Sequence, residues 1–106
     1  MPNRLDLQTM LEQLLGSRNV YYQPPESIKM SYPAIVYERE NIRNNFANNS
    51  VYKQAHAYKV TVIDYDPDSE IVEKVSALPM CGFSRHFTSD NLNHDVFTLY
   101  YQKEDN

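Results

Sequence analysis

The order of apolar and polar positions divides the chain into segments of two periods. Leu7, Met10, Leu11, Leu14 and Leu15 recur at i, i+3, i+4, i+7 and i+8, the one-sided stripe of a helix over residues 4–15. Asp6 favours the positive end of that helix, and Gly16 fits the left-handed position after its last turn. From His56 to Tyr65 the period drops to two. Tyr58, Val60 and Val62 share one face and Lys59 and Thr61 the other, which makes this the longest predicted strand. Asp66 then caps a second helix over residues 67–78, with Pro67 at its first position, where the missing N–H costs nothing. Ile71, Val72, Val75 and Leu78 form its stripe, and Pro79 stops it.

Four shorter runs complete the pattern. Val20–Tyr22 reads as a strand ended by Gln23-Pro24-Pro25, because two prolines exclude a central-strand continuation. Pro33–Glu40, Phe83–Phe87 and Asp95–Tyr101 read as strands. Ile42 to Ser50 holds Asn44, Asn45, Asn48 and Asn49 and reads as a long loop, functional or mobile. Thr88 to His94 reads as a hairpin loop.

The predicted order is therefore α-β-β-β-α-β-β: one α+β domain over residues 1–106, with two helices on one face of an antiparallel or mixed sheet of about five strands. The strand holding Tyr58 to Ile63 should be central. Ile35, Tyr37, Tyr58, Val60, Val62, Phe97, Leu99 and Tyr101 are assigned to the core face. Glu38, Lys59, Thr61, Ser84, His86, Thr98 and Tyr100 fall on the other, where Val36 and Val96 add apolar area. That mixture is too apolar for a solvated face and too polar for the interior of one subunit. It marks Val36, Glu38, Thr61, Thr98 and Tyr100 as partner-facing, with Arg39, Arg43 and Phe46 at and within the asparagine-rich loop.

Composition narrows the function classes. A chain of 106 residues buries roughly 65% of its unfolded surface, enough for one core with little margin. Nine tyrosines suit half-buried strand positions and protein interfaces. The net charge of −4 argues against a stable nucleic-acid binder, which needs a basic footprint, though not against transient passage of DNA. Cys81 is the single cysteine, so no internal disulfide forms. Neither a signal-peptide core nor a membrane span is visible, and a soluble protein of a reducing cytosol is the expectation.

Candidate chemistry is sparse. His86, Asp90, His94 and Asp95 have the atoms for a divalent metal, but their spacing matches no metal signature and Asp and Asn also serve turns. Asp64, Asp66, Asp68 and Glu70 lack the glycine and distal glutamate of a helix-loop-helix calcium loop, and helix capping accounts for them better. Cys81 reads as a small hydrophobe beside a helix end rather than a nucleophile. No phosphate-cradling glycine loop, Gly-flanked serine or His-Glu-x-x-His occurs. The expectation is a non-enzyme with no catalytic residue, no metal and no cofactor. The alternatives from other classes are a small metal-dependent hydrolase built on the hairpin from His86 to His94, and a regulatory binding protein.

Four blocks carry a family likeness: Gly16 to Pro25, Met30 to Arg39, Val60 to Asp64, and Asp90 to Tyr100. Together they resemble the small neck proteins of long-tailed bacteriophages and prophages, of the tail-terminator or tail-to-head joining (tail-completion) type. The block Asn91-Leu92-Asn93-His94-Asp95-Val96-Phe97-Thr98-Leu99-Tyr100 is the most specific. The resemblance implies a sheet with two helices on one side. It also implies assembly in the host cytoplasm into a ring, typically a hexamer, that ends the tail tube and meets the head-side connector around the DNA conduit of the virion. It brings no catalytic residues. A head-closure or other neck ring is the alternative within that class.

Overall fold

The computed structural model describes residues 4–25, 28–47 and 50–104, and the side chains of these except for 41–55 and 102–104. Helix α1 (Arg4–Leu15) leads to β1 (Val20–Tyr22), β2 (Ala34–Ala47), β3 (Ser50–Asp64), α2 (Glu70–Ser76), β4 (Cys81–Ser89) and β5 (Leu92–Glu104). The strands form one five-stranded mixed sheet in the order β1-β2-β3-β5-β4. β1 and β2 run parallel and all other neighbours antiparallel, so this is the α+β architecture expected, with Tyr58 to Ile63 on the central strand.

The two-residue period explains the core. Register pairs Ile35 with Val62, Tyr37 with Val60 and Val60 with Phe97, and all five are buried on one face. Leu7 and Leu11 of α1 and Val75 of α2 pack into that same cluster, which places both helices on one side of the sheet. Tyr58 and Leu99 are buried there as assigned, and Tyr101 packs against the cluster half-buried. A half-buried polar network joins α1 to the sheet. The Tyr37 hydroxyl donates to Gln8 Oε1 and accepts from Arg4 Nη1 at 3.4 Å, while Gln8 Nε2 donates to the Val20 carbonyl at 3.0 Å. Arg4 also lies over the Tyr22 ring, 4.4 Å from its centroid. Gly16 closes α1 at φ 82°, its N–H donating to the Glu12 carbonyl at 2.9 Å.

Three expectations are corrected. Helix α2 begins at Glu70 rather than at 67, because Ser69 and not Asp66 is its N-cap; the Ser69 hydroxyl accepts from the Ile71 N–H at 3.3 Å. Asp64 and Asp66 instead make consecutive side-chain turns, accepting from the N–H groups of Asp66 at 3.2 Å and Asp68 at 2.9 Å. Pro67 lies in that turn.

The second correction concerns Ile42 to Ser50, read as a long loop. β2 runs on to Ala47 and β3 starts at Ser50, pairing from Asn41 opposite Ala57 to Ala47 opposite Ser50, and β5 adds a third strand as far as Glu104 opposite Lys53. Two cross-strand ladders outweigh the weak strand preference of asparagine. The molecule is drawn out to 51 × 23 × 22 Å. Asn48 and Asn49 lie outside the described residues.

The third is the last hairpin. Its connection is not the seven residues from Thr88 to His94 but Asp90-Asn91 alone, at φ 53° and 62°, with Ser89 opposite Leu92. Two left-handed residues in succession match the twist of a two-residue hairpin, and Asp and Asn tolerate that region best among non-glycines.

Candidate partner-binding face

The face of the sheet away from the helices is built by the alternate residues of the same strands. Val36 stands opposite Thr61, Glu38 opposite Lys59, Thr61 opposite Val96, Lys59 opposite Thr98, and Ala57 opposite Tyr100. Five of the residues singled out in the sequence, Val36, Glu38, Thr61, Thr98 and Tyr100, are thus brought onto one face. Arg39 is not: it is exposed and stands opposite Tyr58, on the helix side. The side chains of Arg43 and Phe46 lie outside the described residues, although their backbones pair with Ala55 and Val51.

His86 is a further correction. A bulge at Ser84 lets Phe83 pair with Phe97 and Arg85 with Val96, so two residues of β4 oppose one step of β5. Beyond the bulge every β4 side chain changes face. His86 goes to the helix side, opposite Asp95, whose carboxylate accepts from its Nδ1 at 2.9 Å. Arg85 and Phe87 go to the outer face, where Phe87 stacks on His94 with centroids 4.6 Å apart and planes 12° from parallel. The guanidinium of Arg85 lies 5.1 Å from the centroid of the Phe87 ring. Alternation alone puts Phe83 and Phe87 on one face; nothing in the sequence but the small residues Gly82 and Ser84 hints at the slip.

The described parts of the connector, residues 23–25 and 28–33, shape this face. Gln23 at φ 43° ends β1, its N–H donating to the Tyr37 carbonyl at 2.9 Å, and the chain then passes over the outer side before entering β2. Pro24, Pro25, Ile28 and Met30 form one wall of a groove of about 300 Å³, with Val36, Thr61 and Ile63 as floor and Lys59, Arg85, Phe87 and His94 opposite. No Asp or Glu lines it among the described residues. Glu38 holds Lys59 at 3.4 Å from beside the groove, an exposed pair of small net energy. Arg85 makes no ion pair among the described residues.

The strand register disperses the residues of the last hairpin that carry candidate metal-ligand atoms. His86 and His94 lie on opposite faces and Asp90 sits at the hairpin tip, so the hairpin does not converge on one point. Among the described residues no three His, Cys, Asp or Glu side chains gather as metal ligands. The Cys81 thiol is half-buried, and burial raises its pKa, which disfavours the nucleophilic thiolate. Burial also raises the phenols of Tyr37, Tyr58 and Tyr101 above the usual tyrosine value. Among the described residues no helix is long and apolar enough to cross a membrane. No protein-family model and no curated protein matches the chain.

Proposed function

We propose that the chain is a structural part of the neck of a long-tailed bacteriophage or prophage, of the tail-terminator or tail-to-head joining type. It acts by forming a ring, a hexamer by the resemblance, that ends the tail tube and meets the head-side connector around the DNA conduit. The sequence likeness centred on Asn91 to Tyr100 carries the reading, and two structural features support it. The outer face mixes Val36, Ile63, Val96 and Phe87 with Lys59, Thr61, Thr98 and Arg85, the composition of a subunit contact. The paired ends of β2, β3 and β5 extend an elongated body, a form that gives one subunit reach along or across a ring. Subunits joined head to tail close into a ring where the rotation allows, without needing a large self-complementary patch.

Deleting the gene from a phage that carries it should leave filled heads and tails unjoined, with the tubes unterminated where the ring is the terminator, and the wild-type gene supplied in trans should rescue them. Tyr100→Asp should preserve the fold and block rescue by placing a charge in the contact. Normal virions from the deletion would overturn the reading. Electron microscopy of rescued particles then assigns the position: a ring at the tube end marks a terminator, one against the connector a head-closure protein.

A further inference from the structure

Strand β4 ends the sheet, so one of its two edges pairs with no strand among the described residues. Every residue from Gly82 to Ser89 is exposed, and Phe83 is 59% exposed. The ladder with β5 decides which backbone groups face outward. The Tyr100 N–H donates to the Met80 carbonyl at 3.0 Å, so Cys81 and Leu99 form a pair that exchanges no bonds. The N–H and C=O of Cys81, and of Phe83 two residues on, therefore aim away from β5. At the other end Ser89 and Leu92 flank the two-residue turn as a bonded pair, so Thr88 and His86 also aim outward. The bulge at Ser84 thus puts a step of three residues between the outward groups of Phe83 and His86, where a regular strand has two.

β4 carries neither proline nor lysine to guard this edge, only the bulge, and the longer step mismatches any regular strand. It matches itself. With a second β4 antiparallel about a twofold axis between Ser84 and Arg85, Cys81 faces the partner's Thr88, Phe83 faces the partner's His86, and the longer steps coincide. We propose that the chain forms a twofold dimer through this edge, which joins two sheets into one with all helices on the same side. The side chains agree with that register. Phe83 and His86 both lie on the helix side, so each exposed phenyl ring gains an imidazole neighbour. On the outer face Phe87 stands across from the partner's Gly82, where nothing lies within 4 Å of an added Cβ, and the ring covers that bare backbone. Arg85 flanks the axis, but it lies over its own Phe87 ring and shares a hollow with Glu40, which offsets repulsion between the two guanidiniums. The opposite edge of the sheet is a poorer partner. β2 also bulges after Arg39, but Gln23 Oε1 takes the Arg39 N–H at 3.3 Å. One strand pair buries less than the roughly 1,200 Å² of a standard interface, so the dimer is weak. It does not rest on the neck reading.

Sedimentation of the purified chain up to the order of millimolar should show an equilibrium that stops at the dimer, because a twofold contact uses up the edge. Over the same range the amides of Cys81, Phe83, His86 and Thr88 should gain protection from hydrogen exchange, while those of Gly82 and Phe87, already bonded to β5, stay constant. Thr88→Pro removes an outward N–H that the ladder does not use, and should weaken the dimer by roughly tenfold or more at an unchanged melting temperature. Crosslinking reads the register without that variant. In a Cys81→Ser background, Gly82→Cys and Phe87→Cys chains should form a disulfide when mixed, and Gly82→Cys and Ser89→Cys chains should not. A monomer at every concentration overturns the contact. So does a folded Thr88→Pro chain that dimerises as tightly as the wild type, or a Ser89→Cys chain that crosslinks as readily as Phe87→Cys. Growth beyond the dimer, with protection gained by β2 from Asn41 to Ala47, gives the edge to a head-to-tail contact with β2 and overturns it as well. None of these outcomes bears on the neck reading, which the deletion phage decides.

Discussion

Tyr37→Phe removes one oxygen from the polar network that joins α1 to the sheet. The ring is fully buried, 4.9 Å from Tyr22 and 5.9 Å from Tyr58 between centroids, and phenylalanine keeps this packing. The loss is the hydrogen bond to Gln8 and the longer one from Arg4 at 3.4 Å. A neutral hydrogen bond contributes about 1 kcal/mol net, and a partner left buried and unsatisfied raises the cost to about 1–3 kcal/mol. Gln8 is half-buried and keeps its bonds to Val20 and Glu12, so its freed oxygen is partly rehydrated. Arg4 keeps its place over Tyr22. The expected cost is therefore near the low end, about 1–1.5 kcal/mol, which lowers the melting temperature of a domain this size by roughly 4–8 °C. Thermal and urea unfolding of Tyr37→Phe, Gln8→Ala and the double variant measure it. If the hydroxyl acts through Gln8, the double variant loses less than the sum of the singles by about 1 kcal/mol. Strict additivity, or a melting temperature unchanged in Tyr37→Phe, would refute the claim that this network fixes α1 to the sheet.

Val62→Ala, at a fully buried position of the central strand, should cost about 1–3 kcal/mol through lost burial and a residual cavity, and an unchanged melt counts against its core placement. Gly16→Ala should cost about 1 kcal/mol from the left-handed backbone at φ 82° alone, since open space surrounds the added methyl; urea titration measures it, and a gain in stability contradicts the cap geometry. Burial holds the Tyr37 and Tyr58 pKa values above the usual 10.0, so the folded state binds their protons more tightly than the unfolded state does. The stability they contribute is complete below the unfolded value and is lost as pH rises past it. Tyrosinate absorbance and far-ultraviolet dichroism should therefore show the last phenols ionising together with unfolding, and their free titration in a folded chain argues against burial. The Cys81 thiol, raised in the same way, should react with an alkylating reagent more slowly than a free thiol at neutral pH, and an equal rate overturns its half-buried setting.

Alternation and helical spacing are properties of single segments, and what depends on them was legible in the sequence. Parity along β2, β3 and β5 sorts Ile35, Tyr37, Val60, Val62, Phe97 and Leu99 from Val36, Glu38, Lys59, Thr61 and Thr98 before any partner strand is known, because successive strand side chains must point to opposite faces. The stripe of α1 and the glycine that ends it are equally local. What needed the tertiary structure is whatever two segments settle between them. Asparagines that favour loops in isolation lie in strand where β2, β3 and β5 pair, since the ladder is a cross-strand interaction. Asp66 and Ser69 are both competent caps; Asp66 accepts from the Asp68 N–H within the turn while Ser69 accepts from the Ile71 N–H, so the helix starts at Glu70. The groove arises because the connector after β1 crosses the outer face, which the parallel return to β2 requires and no local pattern shows. The bulge at Ser84 is a mismatch of one residue between β4 and β5, so neither strand alone encodes it, yet it exchanges the faces of His86 and Phe87 and brings Arg85 to the groove. A period of two makes the sheet readable along each strand, and for the same reason a slip of one residue inverts everything beyond it.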